Sequence, residues 1–144
     1  MRYEVVPLKP EHIDKLLAGS AIPVGLDRRA YFSPGSAGCC LLVDEVPVFA
    51  GGIVDLQWSR GEGWFLPTHF FYTHVKTCLR SLREYIPRLA AEGGFRRLQA
   101  TCIAGVSSTI LKHLGFTFEG TMAKFGPSGE TCDMWSRTFD LEAT

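Results

Sequence analysis

The chain has 144 residues, of which 46% are hydrophobic and 21% charged, and its 15 Lys plus Arg balance 15 Asp plus Glu. That length fits one domain burying roughly two-thirds of the surface its unfolded form exposes; the composition excludes a disordered or supercharged chain and gives no sign of a nucleic-acid partner. The apolar stretch from Val46 to Val54 is interrupted by Pro47, Gly51 and Gly52. It falls short of the about 20 residues that a membrane-spanning helix needs. With Glu4 and Lys9 close to the start, the N-terminus lacks the apolar core of a signal peptide, so a soluble, cytoplasmic protein is expected.

Arg2 to Pro7 reads as a strand. Pro10 suits the first turn of a helix carrying Ile13, Leu16 and Leu17 on one face, and Gly19 ends it. Residues 20–36 hold Pro23, Gly25, Pro34 and Gly35, leaving room for a short helix around Leu26 to Phe32. Three antiparallel strands are then expected, at Cys39 to Val43, Val48 to Gln57 and Trp64 to Leu66. Their turns are placed at Asp44 to Pro47 and at Ser59 to Gly63. Gly51 and Gly52 inside the middle strand mark a bulge or a close approach to the backbone.

The strongest helical signal runs from Thr73 to Glu92, where Val75, Cys78, Leu79, Leu82, Ile86 and Leu89 recur at spacings of three and four. The stripe continues through Pro87, which predicts one bent helix, stopped by Gly93-Gly94. Phe95 to Ile103 reads as a strand. Ser107 or Ser108 caps a short helix through His113, and Leu114-Gly115-Phe116 leads into a strand running to Phe125. Gly126 to Gly129 forms a turn, and Thr131 to Thr138 is the return strand.

The cysteines at 39, 40, 78, 102 and 132 include no CxxC pair and no metal-finger spacing, so they read as small core residues, with neither a metal site nor a disulfide framework implied. Asp55 follows Gly51-Gly52-Ile53-Val54 on a central strand and is the candidate catalytic base, because burial raises a carboxyl's pKa toward the range useful for taking a proton from an amine. Glu62, in a charged hairpin, is expected to be exposed. Trp64, Phe65, Phe70, Phe71 and Tyr72 cluster around one turn, mostly as core. Arg80, Arg83, Arg88, Arg96 and Arg97 read as a solvated basic face.

The order β, α, short α, β, β, β, long α, β, α, β, β resembles the GNAT superfamily of N-acetyltransferases over nearly the whole chain. The most specific local piece is Ile110-Leu111-Lys112-His113-Leu114-Gly115-Phe116 followed by Phe118-Glu119-Gly120, similar to the helix, "LGF", strand, "EG" passage of that family. Lys124, a Gly-rich turn and Asp133-Met134-Trp135-Ser136 follow in keeping. The resemblance implies a single α/β (α+β) domain over residues 1–144, with a mixed, mostly antiparallel sheet of about seven strands and helices on both faces.

It further implies acetyl-CoA as cofactor, its diphosphate held on backbone N–H groups where the fourth strand meets the long helix. Here that segment is Pro67 to Lys76. Phe71 stands where the family has Arg or Gln, and bulky residues stand around the expected glycines. Thr73, His74 and Lys76 are the candidate replacements for the glycine contacts. The backbone of Phe65 and Leu66 would hydrogen-bond the pantetheine. The family's channel Asn falls at Ala104, and its proton-donating Tyr at Leu111.

Two functions follow from the resemblance. One is acetyl transfer to a primary amine of a small molecule or protein. The other is a non-catalytic use of the fold in virion assembly or protein contact. Small GNAT-like proteins of short-tailed phages are similar to this chain in size, in the missing glycine turn and in the ending around Phe125 to Arg137. That second reading implies a virion location and self-association or a protein partner.

Overall fold

A computed structural model describes residues 1–18, 32, 34–105, 108–126 and 128–140. Its elements are β1 (Tyr3–Pro7), α1 (Pro10–Ala18), β2 (Ala37–Val43), β3 (Val46–Asp55), β4 (Arg60–Pro67), α2 (His69–Thr73), α3 (Val75–Gly93), β5 (Arg97–Ile103), α4 (Ser108–His113), β6 (Thr117–Met122) and β7 (Cys132–Thr138). The expected helix at residues 26–32 lies outside the described residues, apart from Phe32. The sheet has seven strands in the order β1-β2-β3-β4-β5-β7-β6. β1 with β2, β2 with β3, β5 with β7 and β6 with β7 are antiparallel, whereas β4 and β5 pair in parallel. The α/β class and the mostly antiparallel seven-stranded sheet are as the sequence predicts. Among the described residues no helix is long and apolar enough to cross a membrane.

The chain divides into two compact units, Met1–Val54 with Gly63–Cys78, and Asp55–Glu62 with Leu79–Thr144. In the first, Ile13 and Leu16 of α1 meet Cys40, Ala50, Val54, Trp64 and Leu66 from β2, β3 and β4, with Val6, Leu8 and Leu42 packed around them. The helix presents Ile13 and Leu16 inward because they lie three residues apart on one face. Gly52 carries out the close approach expected of it. A Cβ built there would stand 2.2 Å from Ala37 O and 2.7 Å from Gly38 Cα. The irregularity in the β2 and β3 ladder lies elsewhere, where Leu41 pairs with Phe49 but Leu42 with Pro47.

In the second unit, α3 from Leu79 onward runs through Pro87 without a break. Both α3 and α4 end in the same way. Gly94 takes φ 68 and Gly115 takes φ 85. Phe95 N–H donates to Ala90 O and Gly94 N–H to Ala91 O, while Phe116 N–H donates to Leu111 O and Gly115 N–H to Lys112 O. This pair of bonds satisfies carbonyls at the helix end and needs a left-handed residue, which glycine adopts without steric cost. Arg137 Nη1 adds a bond to Leu114 O at 2.9 Å. The Leu114-Gly115-Phe116 signature is therefore a helix closure that delivers the chain into β6.

Two turns differ from expectation. Only Asp44 and Glu45 form the first, and Val46-Pro47 already belong to β3. The second lies at residues 56–59, with left-handed backbone at Gln57 (φ 70), Trp58 (φ 57) and Ser59 (φ 59). Its stabilisation comes from Gln57 N–H donating to Asp55 Oδ1 at 2.8 Å and Leu56 N–H to Arg60 O at 3.0 Å. Gly61 and Gly63, which suggested the turn, lie within β4.

Replacing Gly52 by Ala is expected to lower stability by about 1 to 3 kcal/mol, since the new methyl meets rigid backbone on β2 and something must shift. Urea denaturation of the variant measures this. An unchanged midpoint would mean that β2 and β3 are not packed this closely.

Candidate active site

The displaced turn has a direct chemical consequence. Glu62, expected on an exposed hairpin, lies in β4 and is partly buried. β4 and β5 pair in parallel through Arg60 with Arg97, Gly61 with Leu98 and Glu62 with Gln99. Side chains alternate along a strand, so Arg97, Gln99 and Thr101 share a face of β5, beside Glu62. Leu98 and Ala100 point the other way and are buried.

Thr101 Oγ1 donates to Glu62 Oε1 at 3.2 Å. Burial pushes the Glu62 carboxyl above its ordinary pKa, against the opposing pull of hydrogen bonds from Gln99 and Thr101 and the charge of Arg97. Arg97 Nε donates to Gln99 Oε1 at 3.3 Å. The same guanidinium forks onto Glu119, with Nη1 at 2.9 Å from Oε2 and Nη2 on Oε1. Arg97 thus leaves the solvated basic face assigned to it and becomes part of a polar row. The fork, with a further bond from Ser136, holds the exposed Glu119 down to about 2.

Asp55 sits at the end of β3, and its Oδ1 accepts the Gln57 amide that stabilises the turn. Sequence reasoning chose it over Glu62 because glycines and charges at 59–63 pointed to a loop. The alternation of Glu62, Trp64 and Leu66 on one side of β4 was the signal for the partly buried carboxyl.

The segment Pro67 to Lys76 belongs entirely to the first unit. Thr68 Oγ1 ties it to β3 by donating to Val48 O at 2.6 Å. The expected single helix is instead two, because α2 closes at Thr73 and the backbone turns at His74 (φ -125, ψ 40) before α3 begins at Val75. Phe71 is fully buried, edge-on to Phe49 and close to Phe65, each at 5.6 Å between centroids. It therefore does not crowd the solvent side of the turn. Leu66 is fully buried and Phe65 partly so, and Tyr72 is exposed.

Thr73 does not cap the long helix but ends the short one. Its Oγ1 donates to Phe70 O at 3.0 Å and lies 2.9 Å from His74 Nδ1. With the hydroxyl proton used on the carbonyl, the remaining lone pairs receive Nδ1–H, which leaves Nε2 as the other ring atom for an outside partner. The imidazole stacks on Phe70 at 3.9 Å. Lys76 is exposed.

Lys76 brings positive charge to the start of α3, whose first turn carries no acidic residue, and a helix start favours an anion. Leu111, where the family carries a Tyr, is buried. The cysteines are free thiols, three buried and two partly buried, in line with the core reading. Burial pushes Cys39 and Cys78 up to about 11 and Cys40 to about 12. These three are protonated at neutral pH.

The fold matches solved structures of acetyltransferases, one of them of the GNAT family. A GNAT-family acetyltransferase from Streptococcus pneumoniae superposes with TM-score 0.73 at 12% identity, covering 96% of this chain and 100% of that one. The ribosomal-protein-S18-alanine N-acetyltransferase of Escherichia coli gives 0.77 at 10% identity, with 99% and 97% covered. The protein yncA of Salmonella typhimurium, solved with its cofactor acetyl-CoA, gives 0.73 at 13% identity, with 99% and 96% covered. No family model matches the sequence, and no curated protein matches it.

The two carboxyls lead to opposite pH effects on stability. Glu119, depressed, contributes stability above its ordinary range that is lost as pH falls toward about 2, so Glu119→Gln flattens acid unfolding there. Glu62, raised, destabilises the fold when ionised, so Glu62→Gln gains stability over the parent as pH rises through its raised pKa. Urea midpoints at acid, mildly acid and neutral pH check both signs.

Proposed function

We propose that the chain is an N-acetyltransferase that moves an acetyl group from acetyl-CoA to a primary amine, with Glu62 as its base. The observation that carries this reading is Glu62 itself, a partly buried carboxyl with a raised pKa in the fourth strand of a GNAT fold. Bound acetyl-CoA would supply a thioester carbonyl as the electrophile. An amine is protonated at neutral pH and must lose a proton before its nitrogen can attack. A carboxylate whose pKa lies above the ordinary range is the better acceptor for that proton. Asp55 is the weaker candidate because it already stabilises the β3–β4 turn.

The diphosphate would rest at the start of α3. The Lys76 ammonium provides donors there, and in the imidazolium form His74 Nε2–H would add one, with Thr73 against the ring. Backbone groups of Phe65 and Leu66, farther along β4 than the pairing of Glu62 with Gln99, are assigned to the pantetheine. The amine acceptor is supported by the Escherichia coli neighbour, whose name describes N-acetylation of an alanine.

Calorimetric titration with acetyl-CoA is expected to give saturable one-to-one binding, weakened about tenfold or more when Thr73, His74 and Lys76 are changed together to Ala. Glu62→Gln should retain that binding while transfer to an amine falls by about 10² to 10⁴. The parent's rate should rise with pH through a limb above the usual glutamate range, and the variant should lose the limb. Absence of binding at millimolar acetyl-CoA would turn the reading toward a non-catalytic use of the fold.

A further inference from the structure

Arg97 touches Gln99 and Glu119, and Gln99 stands opposite Glu62 in the pairing of β4 with β5, on the same face. The direction of each bond is dictated by the groups themselves. A guanidinium only donates, so the Gln99 atom facing Arg97 is its oxygen. An ionised carboxylate only accepts, so the atom that Glu62 requires from Gln99 is nitrogen. Both demands are met by one orientation of the amide, and Arg97 selects it.

We propose that Arg97 is a positioning residue for Glu62: by engaging the Gln99 oxygen it turns the Gln99 amide nitrogen to the Glu62 carboxyl, while Glu119 holds Arg97 in place. Without Arg97 the amide is free to reverse and set its oxygen against the carboxylate, where two acceptors repel. Glu119 acts at one remove, since its two-pronged grip fixes the guanidinium plane and thereby Nε. The β6 strand, which touches neither Gln99 nor Glu62 through these bonds, reaches the carboxyl in this way.

Thr101 donates to Glu62 directly. Arg60, two residues away in β4, is engaged with Leu56 O and Gln57 O and lies over the Trp58 ring. Arg97 also attracts the Glu62 charge through space, a contribution independent of Gln99. The test must separate that field from the amide orientation.

The proposal rests on Glu62 as the base only for its catalytic meaning, and its test is made on the free protein. The side-chain carboxyl of Glu62 is titrated by carbon-13 NMR in the parent, Arg97→Met, Gln99→Leu and the double variant. Arg97→Met is expected to move the Glu62 midpoint upward, and in the Gln99→Leu background that movement should shrink by about half or more. Equal movement in both backgrounds, or none, would overturn the proposal, because Arg97 would then act by its field alone or not at all. Should Arg97→Met fail to fold, Glu119→Gln at the exposed end of the row is expected to give a smaller upward movement, likewise diminished without Gln99, and no such movement would overturn it. In an active preparation the acid limb of kcat should follow the NMR midpoint with the KM for acetyl-CoA unchanged. An inactive protein whose Glu62 shows the expected coupling would refute the enzymatic reading alone.

Discussion

A carboxylate taken out of water costs free energy unless donors stand where the water was, and the architecture around Glu62 answers that constraint. β5 answers it by being two-sided. Its odd-numbered residues Arg97, Gln99 and Thr101 form a polar row, while Leu98 and Ala100 are buried on the opposite side. The parallel pairing sets Glu62 against Gln99 and brings Thr101 within reach of the same carboxyl. Burial still wins over these donors, which is why the group keeps a raised pKa rather than a lowered one. Glu119 shows the contrast, since the same Arg97 acts on it near water and pulls it down.

Most of the fold was legible in the sequence because its elements carry strong periodic signals. The stripe from Val75 to Leu89 survives Pro87, and the left-handed glycines after α3 and α4 mark where helices hand over to strands. The turn before β4 was not legible. Its three left-handed residues are Gln57, Trp58 and Ser59, none of them glycine, and it is held by the Asp55 carboxylate rather than by backbone permissiveness. Glycine-based reasoning placed the turn at Gly61 and Gly63, and that shift of a few residues moved Glu62 from strand to loop.

The candidate cofactor segment was legible in composition but not in shape. Bulky side chains stand between Pro67 and Lys76, and a single short helical turn buries one of them, Phe71, against Phe49 and Phe65. A run of aromatics does not say which ring turns inward. That is decided by the strand it packs on, and Thr68 bonded to Val48 O fixes the approach. The same turn converts Thr73 from the start of a long helix into the end of a short one, where it orients His74.

The closure of α3 constrains β5 more tightly than its length suggests. After Gly94 the chain has only Phe95 and Arg96 before the strand begins, and Ser59 O accepts from both Arg96 N–H and Arg97 N–H. A single residue gained or lost in that interval would advance β5 by half its repeat and exchange its two faces. Leucine and alanine would then meet the carboxyl, and arginine and glutamine would enter the apolar side. The Gly94 junction thus acts as a reading frame for the polar row, and an insertion there would disable the row while leaving each of its residues in the sequence.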